Sequence, residues 1–251
     1  MKRFGVEVLV PEWAAPSGVS ALATTRSGGV SRGPWASFNL GLHCGDDPDA
    51  VAENRRRLGE GLPESPRWLQ QVHGSGLIHL DDWRAGIEAD AAWTDRPGQV
   101  CAILTADCLP ILLCDREARL VAAVHAGWRG LAAGILDRVV EQLPVPGEAL
   151  LAWIGPGISA AAYEVDDRLR QTFIELDASL AAAFQSSRQG HWLADLKAIA
   201  THQLHQAGVL EISDAKLCTA SDSERFFSHR RDQGRSGRQA SLIWLDESTE
   251  A

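Results

Sequence analysis

Two histidines and one cysteine stand in apolar, glycine-rich segments, and together they have the chemistry of a metal site. His73 follows Gln71-Val72, Cys108 lies in an Ala-Asp-Cys-Leu-Pro segment, and His125 begins a His-Ala-Gly-Trp-Arg-Gly segment. A thiolate and two imidazoles form the ligand set of a zinc ion that keeps its fourth position open for water or substrate. The sequence therefore predicts a zinc centre, provided that the three side chains meet in space.

A short hairpin would bring two of the three together. Residues 115–118 are polar and separate two apolar runs at 109–114 and 120–125. If Cys114 pairs with Arg119, Cys108 lies directly opposite His125, with Cβ atoms about 4.5–5.5 Å apart. The interpretation depends on the register, because a shift of one residue turns the side chains to the other face. His73, at the end of its own predicted strand, would supply the third ligand.

Each of these residues also has a structural interpretation. A lone cysteine in an apolar strand is usually a small core residue, and a histidine at a strand end is often a hydrogen-bonded structural group. Asp107 could serve as an acid–base carboxylate or support the site. Arg230 and Arg231 could hold a phosphate or a carboxylate, or form surface ion pairs. His202 and His205 have a spacing compatible with a metal, but their polar neighbours favour a solvated helix face.

Composition limits the class of protein. The chain has 251 residues, of which 45% are hydrophobic and 23% charged, as in an ordinary globular domain. A net charge of −9 disfavours a nucleic-acid partner. No export signal is visible, no apolar run is long enough to span a membrane, and the five cysteines are scattered. We therefore expect a cytoplasmic protein with reduced thiols, no membrane partner and an oligomeric state that the sequence does not determine.

The hydrophobic pattern predicts interspersed strands and helices in a single domain over residues 1–251. Several strand pairs are joined too tightly to be parallel, which favours an α+β fold with a mixed sheet. A long irregular loop is expected at 26–47. Pro110 predicts that its strand lies at an edge or is locally splayed near Cys108. Strands are predicted at 6–10, 19–25, 68–72, 76–80, 100–105, 109–114, 120–125, 150–154 and 241–245, and helices at 48–60, 131–143, 166–176 and 194–207.

Several short motifs occur in order along nearly the whole chain: Ser37-Phe38-Asn39-Leu40-Gly41, Glu53-Asn54-Arg55, Gln71-Val72-His73-Gly74, Thr105-Ala106-Asp107-Cys108-Leu109-Pro110, His125-Ala126-Gly127-Trp128-Arg129-Gly130, Gly155-Pro156 and Phe226-Phe227-Ser228. Together they resemble the bacterial laccase-domain, or polyphenol-oxidase, family. That family is also described as purine nucleoside phosphorylase with adenosine deaminase and methylthioadenosine phosphorylase activities.

The resemblance implies a zinc site at His73, Cys108 and His125. It also implies an α+β fold with a mixed β-sandwich flanked by helices, similar to toxin-type cysteine deamidases. Asn39 and Arg55 map onto the family's pocket, so we expect them, with Asp107, to bind substrate. His229 departs from the family pattern, which has tyrosine at that position, so no role is carried over to it.

The implied activity is that of a zinc-dependent purine nucleoside enzyme. It would cleave adenosine, inosine and methylthioadenosine with phosphate, as a transferase, and deaminate adenosine to inosine, as a hydrolase. A copper-dependent oxidoreductase is less favoured, because the chain has eight histidines and no His-x-His pair. Two further alternatives remain: a Cys108–His125 amidase that edits a peptidoglycan precursor, and a non-enzymatic protein with a structural zinc.

Overall fold

The computed structural model describes residues 2–3 and 5–247. The single-domain prediction also includes Met1, Phe4 and residues 248–251, which lie outside the described residues. The strands are β1 (Lys2–Arg3), β2 (Val6–Leu9), β3 (Val19–Thr24), β4 (Leu77–His79), β5 (Ala91–Thr94), β6 (Cys101–Thr105), β7 (Leu109–Asp115), β8 (Val121–Ala126), β9 (Leu150–Ile154), β10 (Glu164–Asp166), β11 (Phe184–Ser186), β12 (His191–Ala194), β13 (Glu211–Asp214) and β14 (Gln239–Leu245). The helices are α1 (Pro48–Gly59), α2 (Trp128–Ala132), α3 (Ile135–Gln142), α4 (Asp167–Leu176) and α5 (Leu196–Gln206).

Two packed sheets form the centre of the fold. One has the order β1-β2-β3-β14-β6, and the other has the order β13-β9-β7-β8-β5-β4. In the second sheet β4 runs parallel to β5 and β9 parallel to β13, while the other pairs are antiparallel. Ile103 and Ile243 of the first sheet share a buried cluster with Leu112, Ala123 and Leu151 of the second. The predicted α+β fold with a mixed β-sandwich is confirmed.

Helices and a loop cover the outer faces of the sandwich. α3 and α5 contribute Val139 and Ile199 to the cluster that contains Leu113 of the six-stranded sheet. On the opposite side, Leu58 of α1 and the loop residue Phe38 pack in one cluster with strand residues of the five-stranded sheet. The loop at 26–47 is therefore fixed to the body of the protein. A third, three-stranded sheet has the order β10-β12-β11.

Some predicted elements differ from the structure. Residues 68–72 form no strand; only Gln70 makes an isolated bridge, to Glu88. The amide of Gln71 exchanges hydrogen bonds with the backbone of Leu104, so a side chain replaces strand pairing there. The predicted helix at 131–143 is two helices, because Gly134 adopts a left-handed conformation with φ 71°. Sequence patterns missed β5, β13 and the third sheet, all built from strands of three or four residues.

The predicted register of the central hairpin is wrong by two residues. Cys114 pairs with Val121, and Pro110, not Cys108, lies opposite His125. β7 is also central rather than at an edge, since it lies between β8 and β9. Pro110 is tolerated there because pairing with β9 begins only at Ile111. A shift of two residues preserves the face, so Cys108 stays near His125 just before the strand begins.

The hairpin loop is longer than predicted because a buried carboxylate organises it. Asp115 is fully buried and accepts hydrogen bonds from the backbone N of Arg119 at 2.5 Å and of Leu120 at 3.1 Å. The Arg119 Nε also donates to it at 2.6 Å. These bonds set the loop that joins β7 to β8, and hence the register that places Cys108 beside His125.

We expect Asp115→Ala to lower the free energy of unfolding by about 3 kcal/mol, because it leaves buried donors without an acceptor. Urea denaturation followed by circular dichroism measures the change. Glu117→Ala is the control in the same loop, since its side chain is 71% exposed, and it should change stability by no more than about 0.5 kcal/mol. Equal effects of the two substitutions would contradict this role of Asp115.

Candidate metal centre and cavity

The side chains of His73, Cys108 and His125 meet at one point. Their ligand atoms all lie within 4.8 Å of one another, and the two imidazole ring centroids are 4.8 Å apart at an interplanar angle of 75°. Among the histidine, cysteine and acidic side chains of residues 2–3 and 5–247, these three are close enough together to hold one metal ion. The predicted meeting of the three residues is confirmed; that they hold a metal stays a prediction.

A turn between β6 and β7 presents the cysteine. Asp107 has φ 90°, in the left-handed region that side chains other than asparagine and aspartate rarely adopt. Its carboxylate accepts a hydrogen bond from the Thr219 hydroxyl at 2.7 Å and another from the Arg230 backbone N at 2.6 Å. These bonds hold the turn, so the next residue, Cys108, is placed at the cavity before β7 begins.

One buried carboxylate, that of Asp90, holds both histidines. Its Oδ1 accepts from His125 Nδ1 at 2.8 Å and from the backbone N of His73 at 2.9 Å. Its Oδ2 accepts from the backbone N of Gly74 at 2.7 Å and of Val72 at 3.2 Å. Because Nδ1 of His125 donates to Asp90, its Nε2 keeps a lone pair for a metal.

Sequence reasoning missed Asp90. The sequence did contain a signal, because Asp90 directly precedes the apolar run Ala91–Thr94. A carboxylate buried beside such a run is costly unless it is paired, so its presence indicates a partner. The sequence does not show that its partners lie 16 to 35 positions away.

The electrostatics of the site favour a thiolate. Burial by itself would raise the pKa of the Cys108 thiol, but the neighbouring His125 and His73 stabilise the thiolate and bring the pKa down to about 6. Burial works against a charged His125 as well, yet the Cys108 thiolate and the Asp90 carboxylate raise the pKa of this imidazole. A cysteine with a lowered pKa is the form that binds metals and acts as a nucleophile.

The three residues lie in the wall of a cavity of about 430 Å³, a size within the usual range for small-molecule sites. Arg129, Arg230 and Arg238 give this wall positive charge. Thr105 is 1% exposed, and its hydroxyl has no hydrogen-bond partner among the described residues. The other lining residues are His43, Gln71, Leu104, Ala106, Asp107, Trp128, Ile158, Tyr163 and His229.

The residues expected to bind substrate have different locations. Asp107 lines the cavity, whereas Asn39 and Arg55 do not. Asn39 is fully buried and accepts from the backbone N of Gly41 and of Arg238. The Arg55 Nε donates to the Leu40 carbonyl at 2.9 Å, and its guanidinium lies 4.4 Å from the Trp68 ring centroid. Both side chains hold the loop that leads to His43, a lining residue.

Of the remaining candidates, some line the cavity and others have structural roles elsewhere. Arg230 and His229 line the cavity. Arg231 forms an ion pair with Asp232 and donates to backbone carbonyls, so it is a structural residue. His202 pairs with Asp177 on the surface between α4 and α5, away from the cavity. Arg129, which sequence reasoning did not single out, follows Trp128 and enters the cavity wall.

The fold is a mixed α+β sandwich, and its cationic cavity contains one His-Cys-His group that could hold a metal. These features place the chain among α+β proteins with a single candidate metal centre. The family described as multi-copper polyphenol oxidoreductase laccase matches residues 20–246, and this chain belongs to it. The suspected family is therefore confirmed.

Named relatives cover nearly the whole chain. Purine nucleoside phosphorylase PA4543 of Pseudomonas aeruginosa is 50% identical over 240 residues, covering 95% of this chain and 98% of the relative. Purine nucleoside phosphorylase YfiH of Escherichia coli K12 is 47% identical over 242 residues, covering 95% and 99%.

Solved structures show the same fold. The crystal structure of Neisseria meningitidis protein NMB0706 has a TM-score of 0.92 at 43% identity and covers 96% of this chain and 99% of its own. YlmD of Geobacillus stearothermophilus has a TM-score of 0.83 at 33% identity, with coverage of 97% and 99%. Across the described residues, no helix combines the length and the hydrophobicity needed to cross a membrane.

The donor set fits a single metal ion of intermediate softness. One sulfur and two imidazole nitrogens suit zinc, and a three-member set is typical of zinc sites that keep one position open for water or substrate. The family description refers to several coppers. The described residues supply one such group rather than the several that multi-copper chemistry uses.

Close packing makes Gly127 essential to this geometry. A Cβ added at Gly127 would lie 2.8 Å from Cys108 Sγ and 3.3 Å from His73 Cδ2. Both distances are too short, so one ligand would have to move.

We therefore expect Gly127→Ala to weaken zinc binding at least about tenfold, an effect in the range seen when ligand geometry is disturbed. The backbone φ of −80° suits alanine, so the fold should survive. Chelator competition measures the affinity. Gly59→Ala is the control, because a Cβ there meets no atom within 4 Å. Wild-type zinc affinity in Gly127→Ala would rule out the proposed packing constraint.

Proposed function

We propose that this protein is a zinc-dependent purine nucleoside enzyme that cleaves adenosine, inosine and methylthioadenosine with phosphate. The observation that supports this proposal most strongly is the 50% identity, over 95% of the chain, to a protein named purine nucleoside phosphorylase. We further propose that residues 1–251 form one functional domain, because the cavity takes residues from His43 to Arg238.

The cavity has the groups that phosphorolysis requires. An oxygen of hydrogen phosphate attacks C1′ of the ribose, the bond from C1′ to N9 breaks, and the leaving purine takes up the proton that the phosphate gives up. The guanidinium groups of Arg129, Arg230 and Arg238 supply positive charge for the phosphate. We assign the phosphate to these side chains rather than to Arg55, which was expected to bind substrate but lies outside the cavity wall.

Other lining groups suit the nucleoside. The Trp128 and Tyr163 rings offer apolar surface for a flat base or for the sugar. Burial raises the pKa of Tyr163 to about 12, so its hydroxyl stays protonated and can donate a hydrogen bond. The unpartnered Thr105 hydroxyl would gain a partner from a polar ligand atom, since a buried hydroxyl without one is costly.

His73, Cys108 and His125 would hold the metal. A zinc ion there would supply Lewis acidity to a water or a substrate atom in the cavity. The same cavity would then support deamination of adenosine to inosine, which we include in the proposal. Copper is the less favoured metal, because these three residues form one centre.

The experiment that tests this proposal pairs metal analysis of the purified protein with assays on adenosine, inosine and methylthioadenosine, with and without phosphate. We expect about one zinc per chain and phosphate-dependent release of free base. Cys108→Ala should lose both the zinc and at least about 10³-fold of the activity, since it removes a ligand of the centre. Cys101→Ala is a matched control, because Cys101 is fully buried between the sheets, away from the cavity.

A second candidate is an amidase in which Cys108 is the nucleophile and His125 its base. The specific observation behind it is the lowered pKa of Cys108, about 6, which its histidine neighbours produce. The thiolate would then form as the pH rises through about 6. Amide hydrolysis by zinc-free protein, with that pH dependence and with loss on alkylation of Cys108, would favour the amidase and contradict the zinc-dependent proposal.

A further inference from the structure

A second depression adjoins the cavity. This outer groove has a volume of about 600 Å³. It is lined by Trp128, Arg129, Tyr163, Glu164, Val165, Asp166, Arg168, Leu169, Thr172 and Arg230. Trp128, Arg129, Tyr163 and Arg230 line both spaces. The two spaces are therefore neighbours, and a ligand that passes these four side chains would reach from one into the other.

Three arginines and two acidic residues, Glu164 and Asp166, line the groove, so its lining carries an excess of positive charge. Among the described residues, none of the arginines Arg129, Arg168 and Arg230 forms an ion pair, because the groove's Glu164 pairs with Arg188 instead. Arg129 stacks 4.6 Å from the Trp128 ring centroid, and Arg230 stacks 4.8 Å from that of Tyr163. Stacking fixes the direction of a guanidinium without using its N–H donors. Arg230 uses one of them, since its Nη1 donates to the Glu164 carbonyl at 2.8 Å, and its other donors can still bind an anion.

The carboxylates near these arginines are occupied elsewhere. Glu164 accepts from Arg188 at 2.8 Å and from the Ser187 hydroxyl at 2.8 Å. Asp166 caps α4 by accepting from the backbone N of Leu169 at 2.9 Å. In a protein with a net charge of −9, three arginines against the one unpaired carboxylate of Asp166 form a local positive site that attracts anions.

We propose that the outer groove binds an anionic group, a phosphate or a carboxylate, carried by the same molecule whose purine nucleoside part occupies the cavity. This inference rests on the proposed function and extends it: the preferred substrates are purine nucleosides with an anionic extension. Arg168 binds the extension from the groove side, and Arg129 and Arg230 lie between the two spaces.

The test measures binding by titration calorimetry with the metal-loaded protein. The probes are inosine, inosine 5′-monophosphate, the corresponding 5′-carboxylate and inorganic phosphate. Arg168→Gln is the informative variant, because Arg168 lines the outer groove and not the cavity. Arg138→Gln is the matched control, since Arg138 is an exposed arginine on α3 that lines neither space.

We expect wild-type protein to bind at least one charged nucleoside about threefold to fivefold more tightly than inosine, with an advantage that shrinks as salt is raised. Whether the phosphate or the carboxylate gains more identifies the extension. Arg168→Gln should remove this advantage and leave inosine binding within about twofold of wild type. Arg138→Gln should behave as wild type with every probe.

Three results would overturn the inference: equal affinity of wild type for inosine and both charged nucleosides, the same loss in both variants, or a loss in Arg168→Gln confined to inorganic phosphate. The last would make the groove a site for the co-substrate. Inosine turnover by the same preparation is assayed separately. An enzyme active on inosine without a charge preference overturns only the groove, whereas a protein that neither binds nor cleaves inosine overturns the proposed function.

Discussion

The carboxylate of Asp90 is the interaction on which the site depends. It accepts hydrogen bonds from the His125 ring and from the backbone of three successive residues around His73. The backbone carbonyl of Asp90 also accepts from the backbone N of His125 at 2.7 Å. Asp90, a fully buried residue directly before β5, therefore fixes two of the three ligands. It holds His125 through the imidazole ring and His73 through the backbone N–H. The buried charge of Asp90 is tolerated because each carboxylate oxygen accepts hydrogen bonds from two donors.

The third ligand depends on a different part of the fold. Cys108 is placed by the turn at Asp107 and by the register of the β7–β8 hairpin. Its approach to the histidines requires that Gly127 have no side chain. The sandwich thus brings a sulfur and two nitrogens to one point, and polar side chains from loops and helix ends surround it. Arginines from two helices, Arg129 and Arg168, and from a loop, Arg230, give the cavity and its outer groove a charge opposite to that of the whole protein.

The sequence predicted the α+β class and most of the long elements, because their hydrophobic patterns are strong. It also identified His73, Cys108 and His125 from residue type and setting. It failed where spacing alone does not fix geometry: the hairpin register depends on hydrogen bonds of Asp115, and Gly134 divides a helix that looks continuous. Asn39 and Arg55 were expected to bind substrate, but they stabilise a loop beside the cavity. Asp90 was missed because its hydrogen-bond partners are distant in sequence. Arg129 was missed because the cavity that it lines forms only when the chain folds.

The most direct test of the central claim is the zinc affinity of Asp90→Asn. Asparagine keeps the shape of the side chain but loses the charge that orients His125, so we predict affinity about tenfold to a hundredfold below wild type in chelator competition. Asp95→Asn is the comparison, because Asp95 contacts a histidine, His79, outside the site, and its affinity should equal that of wild type. Wild-type zinc affinity in folded Asp90→Asn protein would contradict the account.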